Sequence, residues 1–192
     1  TNQRHLLAEF SSAVDTGSLK LSSFRIADSS SHGGLKLFSV YPASPGNTSV
    51  VVVTDTQSSK AVYRLSVESL RGVNGLRVNP TANALVFNSS EARDTLPLRI
   101  LSTSLPDTSR DVDLYPAFSL QFSEAVEQGS IERAITLVDS SRTPVPTEFR
   151  WLSDASVEVT PRIKLASTTW YVCRVGMRSI TDVFGKRGRD SL

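Results

Sequence analysis

Phe10-Ser11-Ser12-Ala13-Val14-Asp15 and Phe122-Ser123-Glu124-Ala125-Val126-Glu127 are two versions of one phrase, each followed by a single residue and then Gly-Ser. They lie 112 residues apart. Downstream, Tyr63-Arg64-Leu65-Ser66-Val67 is answered by Tyr171-Val172-Cys173-Arg174-Val175 at an offset of 108. Two markers in the same order at nearly constant spacing predict a duplicated domain, with the four-residue slip absorbed in loops. A chain of 192 residues fits one large domain or two of about 90–100 residues, and the repeat selects two. The predicted domains are 1–92 and 96–192, joined by a short linker in which Pro97 restricts the chain.

Around these markers nearly every ordered stretch alternates with period two. Arg4 to Phe10, Gly34 to Val40, Ser49 to Thr54, Ala61 to Leu70, Phe118 to Phe122, Ser156 to Thr160 and Thr169 to Met177 are short and rich in Val, Leu, Phe, Tyr and Thr. Ser, Gly, Pro, Asn and Asp separate them, which is the pattern of antiparallel β-sandwiches. Helical periodicity is confined to Gly129 to Ala134, long enough for a single turn. The predicted fold is all-β, two tandem Ig-like antiparallel sandwiches.

Aligning the halves predicts inward and outward positions. Val51 and Val53 are matched to Val157 and Val159, which places Val52 with Glu158 on an exposed face. Tyr63, Leu65 and Val67 point inward with Tyr171, Cys173 and Val175, and the two tyrosines are expected to hydrogen-bond to a loop. Asn74-Gly75 and Phe184-Gly185 close each motif, the glycine supplying a positive φ. The first half ends with a strand around Ala84 to Asn88, which nothing after Gly185 can match. The second half opens with Leu98 to Pro106, which nothing before Leu6 matches. Each half thus lacks one strand or borrows it, and an open sandwich edge exposes unpaired backbone groups.

Composition narrows the function classes. The net charge is +2, with 21% charged and 39% hydrophobic residues, so no basic field suggests nucleic acid. The basic cluster Lys186, Arg187 and Arg189 reads as a solvated tail. Cys173 is the single cysteine, which rules out an intrachain disulfide and reads as a small buried hydrophobe. No stretch approaches the roughly 20 apolar residues of a membrane span, and no signal peptide is evident. The sequence opens at Thr1 without an initiator Met and is read as a mature product or a piece of a longer protein.

Candidate chemistry is sparse. Asp107, Asp111 and Asp113 could offer hard oxygens to calcium, but they lack a glycine-turned loop with a terminal Glu. The competing reading is a solvated loop. His5 and His32 belong to no ligand-spaced motif, and the serines of Ser29-Ser30-Ser31 and Ser89-Ser90 read as loop without a nucleophile elbow. Trp151 follows Phe149 by two residues; Trp170 falls on the outward phase of its strand, where a ring suits sugar stacking or packing under a neighbouring domain. Asn47-Thr48-Ser49 and Asn88-Ser89-Ser90 are N-glycosylation triplets.

The second half resembles the bacterial Ig-like domain family of the S-layer (SbsA-like) type. The resemblance rests on Leu101 to Asp107, Val112, Pro116, Phe118 to Val126, Val157 to Pro161, Leu165, Thr169, Tyr171 and Ile180 to Gly185. The first half keeps the frame more loosely, with no Pro after Thr54 and no aspartate before its final Gly. The resemblance implies an Ig-like sandwich repeated in long extracytoplasmic proteins as spacer, surface-layer unit or accessory module, with no catalytic residues. The expectation is therefore a non-enzymatic structural or assembly module at the cell surface or outside the cell. It would need no cofactor beyond calcium, and would meet neighbouring domains or like subunits. The alternatives are an adhesion or recognition module that binds carbohydrate or a cell-surface protein through loops or Trp170, and accessory domains of a secreted hydrolase.

Overall fold

In the computed structural model, which describes residues 2–29, 33–43 and 46–189, the chain divides into two compact units, Thr1–Thr95 and Leu96–Leu192. The first unit carries β1 (His5–Glu9), β2 (Phe24–Asp28), β3 (Gly34–Leu35), β4 (Leu37–Pro42), β5 (Ser49–Thr54), β6 (Val62–Val67) and β7 (Ala84–Asn88). One sheet has the order β1-β5-β4 and the other β3-β2-β6-β7, all pairs antiparallel. The second unit carries β8 (Ile100–Thr103), β9 (Phe118–Phe122), α1 (Gln128–Ala134), β10 (Ile135–Asp139), β11 (Pro144–Val145), β12 (Thr147–Ser153), β13 (Ser156–Pro161) and β14 (Tyr171–Val175). Its sheets are β12-β13-β9-β8 and β11-β10-β14, again antiparallel.

Pairing shows that the units share a plan. β9 stands where β1 does, β13 where β5 does, and β14 where β6 does. In the first unit Leu6 and Ala8 face Val52 and Val50; in the second, Phe118 and Leu120 face Val159 and Val157. All four valines are fully buried between the sheets. Each such side chain contributes about 1.5–3 kcal/mol by leaving water. The inward pair of the first unit is therefore Val50 and Val52, not Val51 and Val53, and Val52 is not on an exposed face. An unbroken run of four valines carries no alternation, so only the pairing register sets its phase. β2, β10 and β12 lie outside the stretches read from the sequence, and each adds a row to a core or covers one. α1 replaces the single turn read at Gly129 to Ala134.

The repeated phrase is a clamp. After β1, Asp15 caps a 3₁₀ turn by accepting from the Gly17 amide at 3.0 Å. After β9, Glu127 caps α1 by accepting from the Gly129 and Ser130 amides at 2.9 and 2.6 Å. The serine of each Gly-Ser then donates its hydroxyl backward, Ser18 to the Asp15 carbonyl and Ser130 to the Glu127 carbonyl, at 2.8 and 2.7 Å. The same oxygens accept from the far side: Ser18 Oγ from the Arg71 amide at 3.0 Å, Ser130 Oγ from the Thr181 amide at 3.1 Å. Two backbone bonds, Asp15 N to Arg71 O and Glu127 N to Thr181 O, run beside them at 2.9 Å. In this way the turn that follows β6 or β14 is tied to the segment that follows β1 or β9.

Both tyrosines are anchored as expected. The Ser58 amide donates to Tyr63 Oη at 2.9 Å and the Ala166 amide to Tyr171 Oη at 2.8 Å, five residues upstream in each case. A neutral hydrogen bond of this type contributes about 0.5–1.5 kcal/mol, more where its loss strands a buried donor. Tyr63→Phe is expected to destabilise the first unit by about 1–2 kcal/mol. Tyr171→Phe, half-exposed, is expected to cost the second unit less. Urea titrations followed by unit-specific probes measure both, and negligible losses would show that the hydroxyls are not anchors.

Candidate functional site

Asp107, Asp111 and Asp113 lie on the exposed connection between β8 and β9. Asp107 Oδ1 accepts from the Thr108 amide at 2.9 Å and Asp113 Oδ1 from the Tyr115 amide at 3.0 Å, while Asp111 has φ +54°. The carboxylates of Asp107 and Asp113 thus serve their own local turns, and the three do not bring ligand oxygens within 4.8 Å of one another. Calcium would have to rebuild this connection to collect the oxygens it requires.

Trp170 precedes β14 and is 58% exposed, next to Val172 at 49%. Val172 faces outward on β14, which is the edge of its sheet among the described residues, and Trp170 lies just before it. Trp151 lies on β12, half-buried with Phe149 against the second core. Cys173 sits on the inward side of β14, and burial pushes its thiol up to about 11. It is neutral at physiological pH, the inert state of a structural cysteine. His5 lies on β1, with Nδ1 3.1 Å from Asn2 Oδ1; His32, Ser30 and Ser31 fall outside the described residues.

The basic cluster is not a uniform solvated tail. Arg187 and Arg189 are exposed, but Lys186 reaches buried Glu124 with Nζ 3.4 Å from Oε1. Buried Asp182 lies in the same turn, its Oδ1 accepting from the Phe184 and Lys186 amides at 2.8 Å. The first unit solves the same problem differently. Where Asp182 stands it has Gly72, and Asn74 Oδ1 caps the equivalent amide, that of Leu76, at 3.1 Å. A Cβ built on Gly72 would meet that Asn74 oxygen at 2.7 Å, so the two caps occupy one place from different positions. Gly75 and Gly185, at φ +78° and +83°, turn the chain just beyond. The first half's missing aspartate is thus replaced by an asparagine two residues on. Neither the Glu124–Lys186 pair nor this exchange was read from the sequence; the acids within the repeated phrase and the closing turn were the available signal.

Two hollows complete the first unit. One of about 390 Å³ is polar, lined by Asp15, Ser18, Lys20, Ser23 and Arg71 among others. The other, about 470 Å³, opens between the edges of the two sheets, with Phe10, Val14, Leu65, Leu70 and Val78 on its walls.

A family model described as a bacterial Ig-like domain matches residues 94–191, just over half the chain. The chain belongs to the bacterial Ig-like domain family. No curated protein matches it. Among solved structures it is similar to the N-terminal part of the bacterial S-layer protein SbsC, at 12% identity and a TM-score of 0.44, covering 91% of this chain and 42% of that one. A structure of SbsC domains 1-6 matches at 11% identity and a TM-score of 0.39, with 99% and 32% covered. The chain therefore spans less than half the length of these S-layer structures. As an Ig-like domain, the second unit shares its family's sandwich, and its closing turn with Asp182 and Gly185 falls inside the matched stretch.

Asp182→Ala removes two hydrogen bonds to a buried carboxylate, and is expected to cost about 2–4 kcal/mol, because bonds to charged groups are worth about 1.5–3 kcal/mol. Asn74→Ala, at an exposed turn, is expected to cost under about 1 kcal/mol. Denaturant midpoints for the two variants give the comparison. For the acidic connection, millimolar calcium is expected to leave the melting temperature where chelator leaves it. A rise of more than about 2 °C would establish a bound ion, since a ligand that binds only the folded state must raise it.

Proposed function

We propose that this chain is a non-catalytic tandem Ig-like module of a larger extracytoplasmic protein, placed at the cell surface, whose task is to space or assemble domains. The observation that supports this is that both units build a separate core around the same clamp and the same anchored tyrosine. A repeated folding unit with its own core carries load and extends reach, which suits a mechanical role. Family membership points the same way. Neighbouring domains of the same protein or like subunits are the natural partners of such a module. The S-layer resemblance motivates a surface-layer or filament setting. Among the described residues no helix is long and apolar enough to cross a membrane.

A recognition role is the second reading, favoured by the exposed ring of Trp170 beside Val172. Aromatic faces of this kind stack on sugars or anchor protein contacts. Single-molecule pulling separates the two. A mechanical tandem is expected to give two unfolding events per chain, each releasing the length of one unit; a single concerted event would contradict it. Binding on a glycan array that Trp170→Ala abolishes while both unfolding events persist would establish the recognition reading instead.

A further inference from the structure

β12 is the outermost strand of the sheet β12-β13-β9-β8, and among the described residues no strand pairs with its free side. Its neighbours in the chain, β11 and β13, are both in place, so this edge lies within the sequence of the unit. The inward side chains Phe149 and Trp151 pack against the second core but stay half-buried. The outward side chains Glu148, Arg150 and Leu152 are exposed. An edge of this kind presents unpaired backbone groups to another strand.

The pairing with β13 tells which groups face the open side. The Arg162 amide donates to Pro146 O at 2.8 Å, one step beyond the register Thr147↔Pro161. Residues of an antiparallel strand alternate between bonding one neighbour and facing the other way. Glu148 and Arg150 share the phase of Pro146 and bond β13. The N–H and C=O of Thr147, Phe149 and Trp151 therefore point into the open side. The regular stretch runs from Thr147, where the strand begins, to Trp151, after which the register shifts. Its middle residue is Phe149.

Two copies of such a strand pair about a two-fold axis only where residues of one phase meet, so the axis falls at a residue. Centred on Glu148 or on Arg150, the pairing sets a charge against its own copy, which is destabilising. Centred on Thr147 or Trp151, it leaves most of the strand unpaired. Centred on Phe149, it uses the whole regular stretch and sets Glu148 against Arg150 on both sides of the axis. The open backbone groups then match: Phe149 exchanges bonds with Phe149, and Thr147 with Trp151. Glu148 and Arg150 fall in the closely spaced positions between them, where side chains lie nearest. Among the described residues Glu148 has no ion pair of its own. Arg150 holds Glu158 through Nε and Nη2 at 2.9 and 2.8 Å and keeps further N–H groups for a second carboxylate. Thr147 of the second copy falls beside Trp151, whose buried indole N–H has no acceptor among the described residues.

We propose that β12 pairs antiparallel with β12 of a second copy of this chain, centred on Phe149, joining their sheets edge to edge. The proposal deepens the assembly reading above and rests on it for the identity of the partner. β4, which holds the place of β12 in the first unit, carries no charged side chain to set such a register.

The chain Thr1–Leu192 is tested from about 20 µM to about 1 mM, the range in which so small an interface associates. Sedimentation velocity is expected to show a monomer–dimer equilibrium. Amide exchange is expected to slow about threefold or more with concentration at Thr147, Phe149 and Trp151, but not at Glu148 and Arg150, which β13 already holds. Glu148→Lys, an exposed change outside the core, is expected to weaken association about tenfold, because the two-fold axis doubles the loss. Arg150→Glu is expected to do the same. An equimolar mixture of the two variants is expected to associate as the unmodified chain does, since each offers the charge the other lacks. No association at about 1 mM overturns the proposal. So does association that Glu148→Lys leaves unchanged, or protection without the alternation, since either places the interface elsewhere. Two unfolding events under force in a chain that does not dimerise would leave the mechanical reading standing and remove only the β12 pairing.

Discussion

A single serine hydroxyl in each unit, Ser18 in the first and Ser130 in the second, joins two segments that are more than 50 residues apart. It donates to the carbonyl of the acidic cap and accepts an amide from the returning turn, so both capacities of the group are used. In the second unit Ser130 is buried, where a misplaced turn would leave an amide without its acceptor. The chain must cross from one sheet to the other at this point. Fixing the crossing fixes where the next strand can lie, and the paired valines of the central strands then fill the space between the sheets.

The two units solve identical constraints with different residues. Glu127 caps a seven-residue helix where Asp15 caps a 3₁₀ turn, and Asp182 caps from one position where Asn74 caps from two residues on. What is kept is the amide that needs an acceptor, not the side chain that supplies it. This accounts for the looser family frame of the first half. It also explains why the second unit carries a buried carboxylate beside Glu124 and Lys186 while the first presents an exposed amide at its turn. An ion pair in such a place contributes little net stability, because desolvation offsets most of the attraction, but losing one partner strands the other.

The thiol of Cys173 is held neutral by burial, and Asp107 and Asp113 of the β8–β9 connection accept from nearby backbone amides. The open feature is instead a strand edge: β12, with Phe149 and Trp151 half-buried on its inner side and Glu148 and Arg150 exposed on its outer side. A surface of this kind suits strand pairing, the interaction by which sheets are joined edge to edge.

The all-β class, the anchored tyrosines, the glycine turns and the terminal strand Ala84 to Asn88 were legible in the sequence because each leaves a local mark. Alternation reports a half-buried strand, and a glycine at a turn reports a positive φ. Several elements leave no such mark. The phase of Val50 to Val53 is silent because all four residues are alike. The three aspartates are close in sequence, but their carboxylate oxygens do not come together, and those of Asp107 and Asp113 accept from nearby amides instead. Lys186 reads as part of a charged tail until the turn lays it against Glu124. Sequence by itself determined which residues alternate, which turn and which repeat, because those are properties of neighbouring residues. Only the tertiary structure decided which face is inward, which amide each cap serves and which strand edge is left uncovered. Those depend on segments far apart in the chain, brought together by burial and hydrogen bonding.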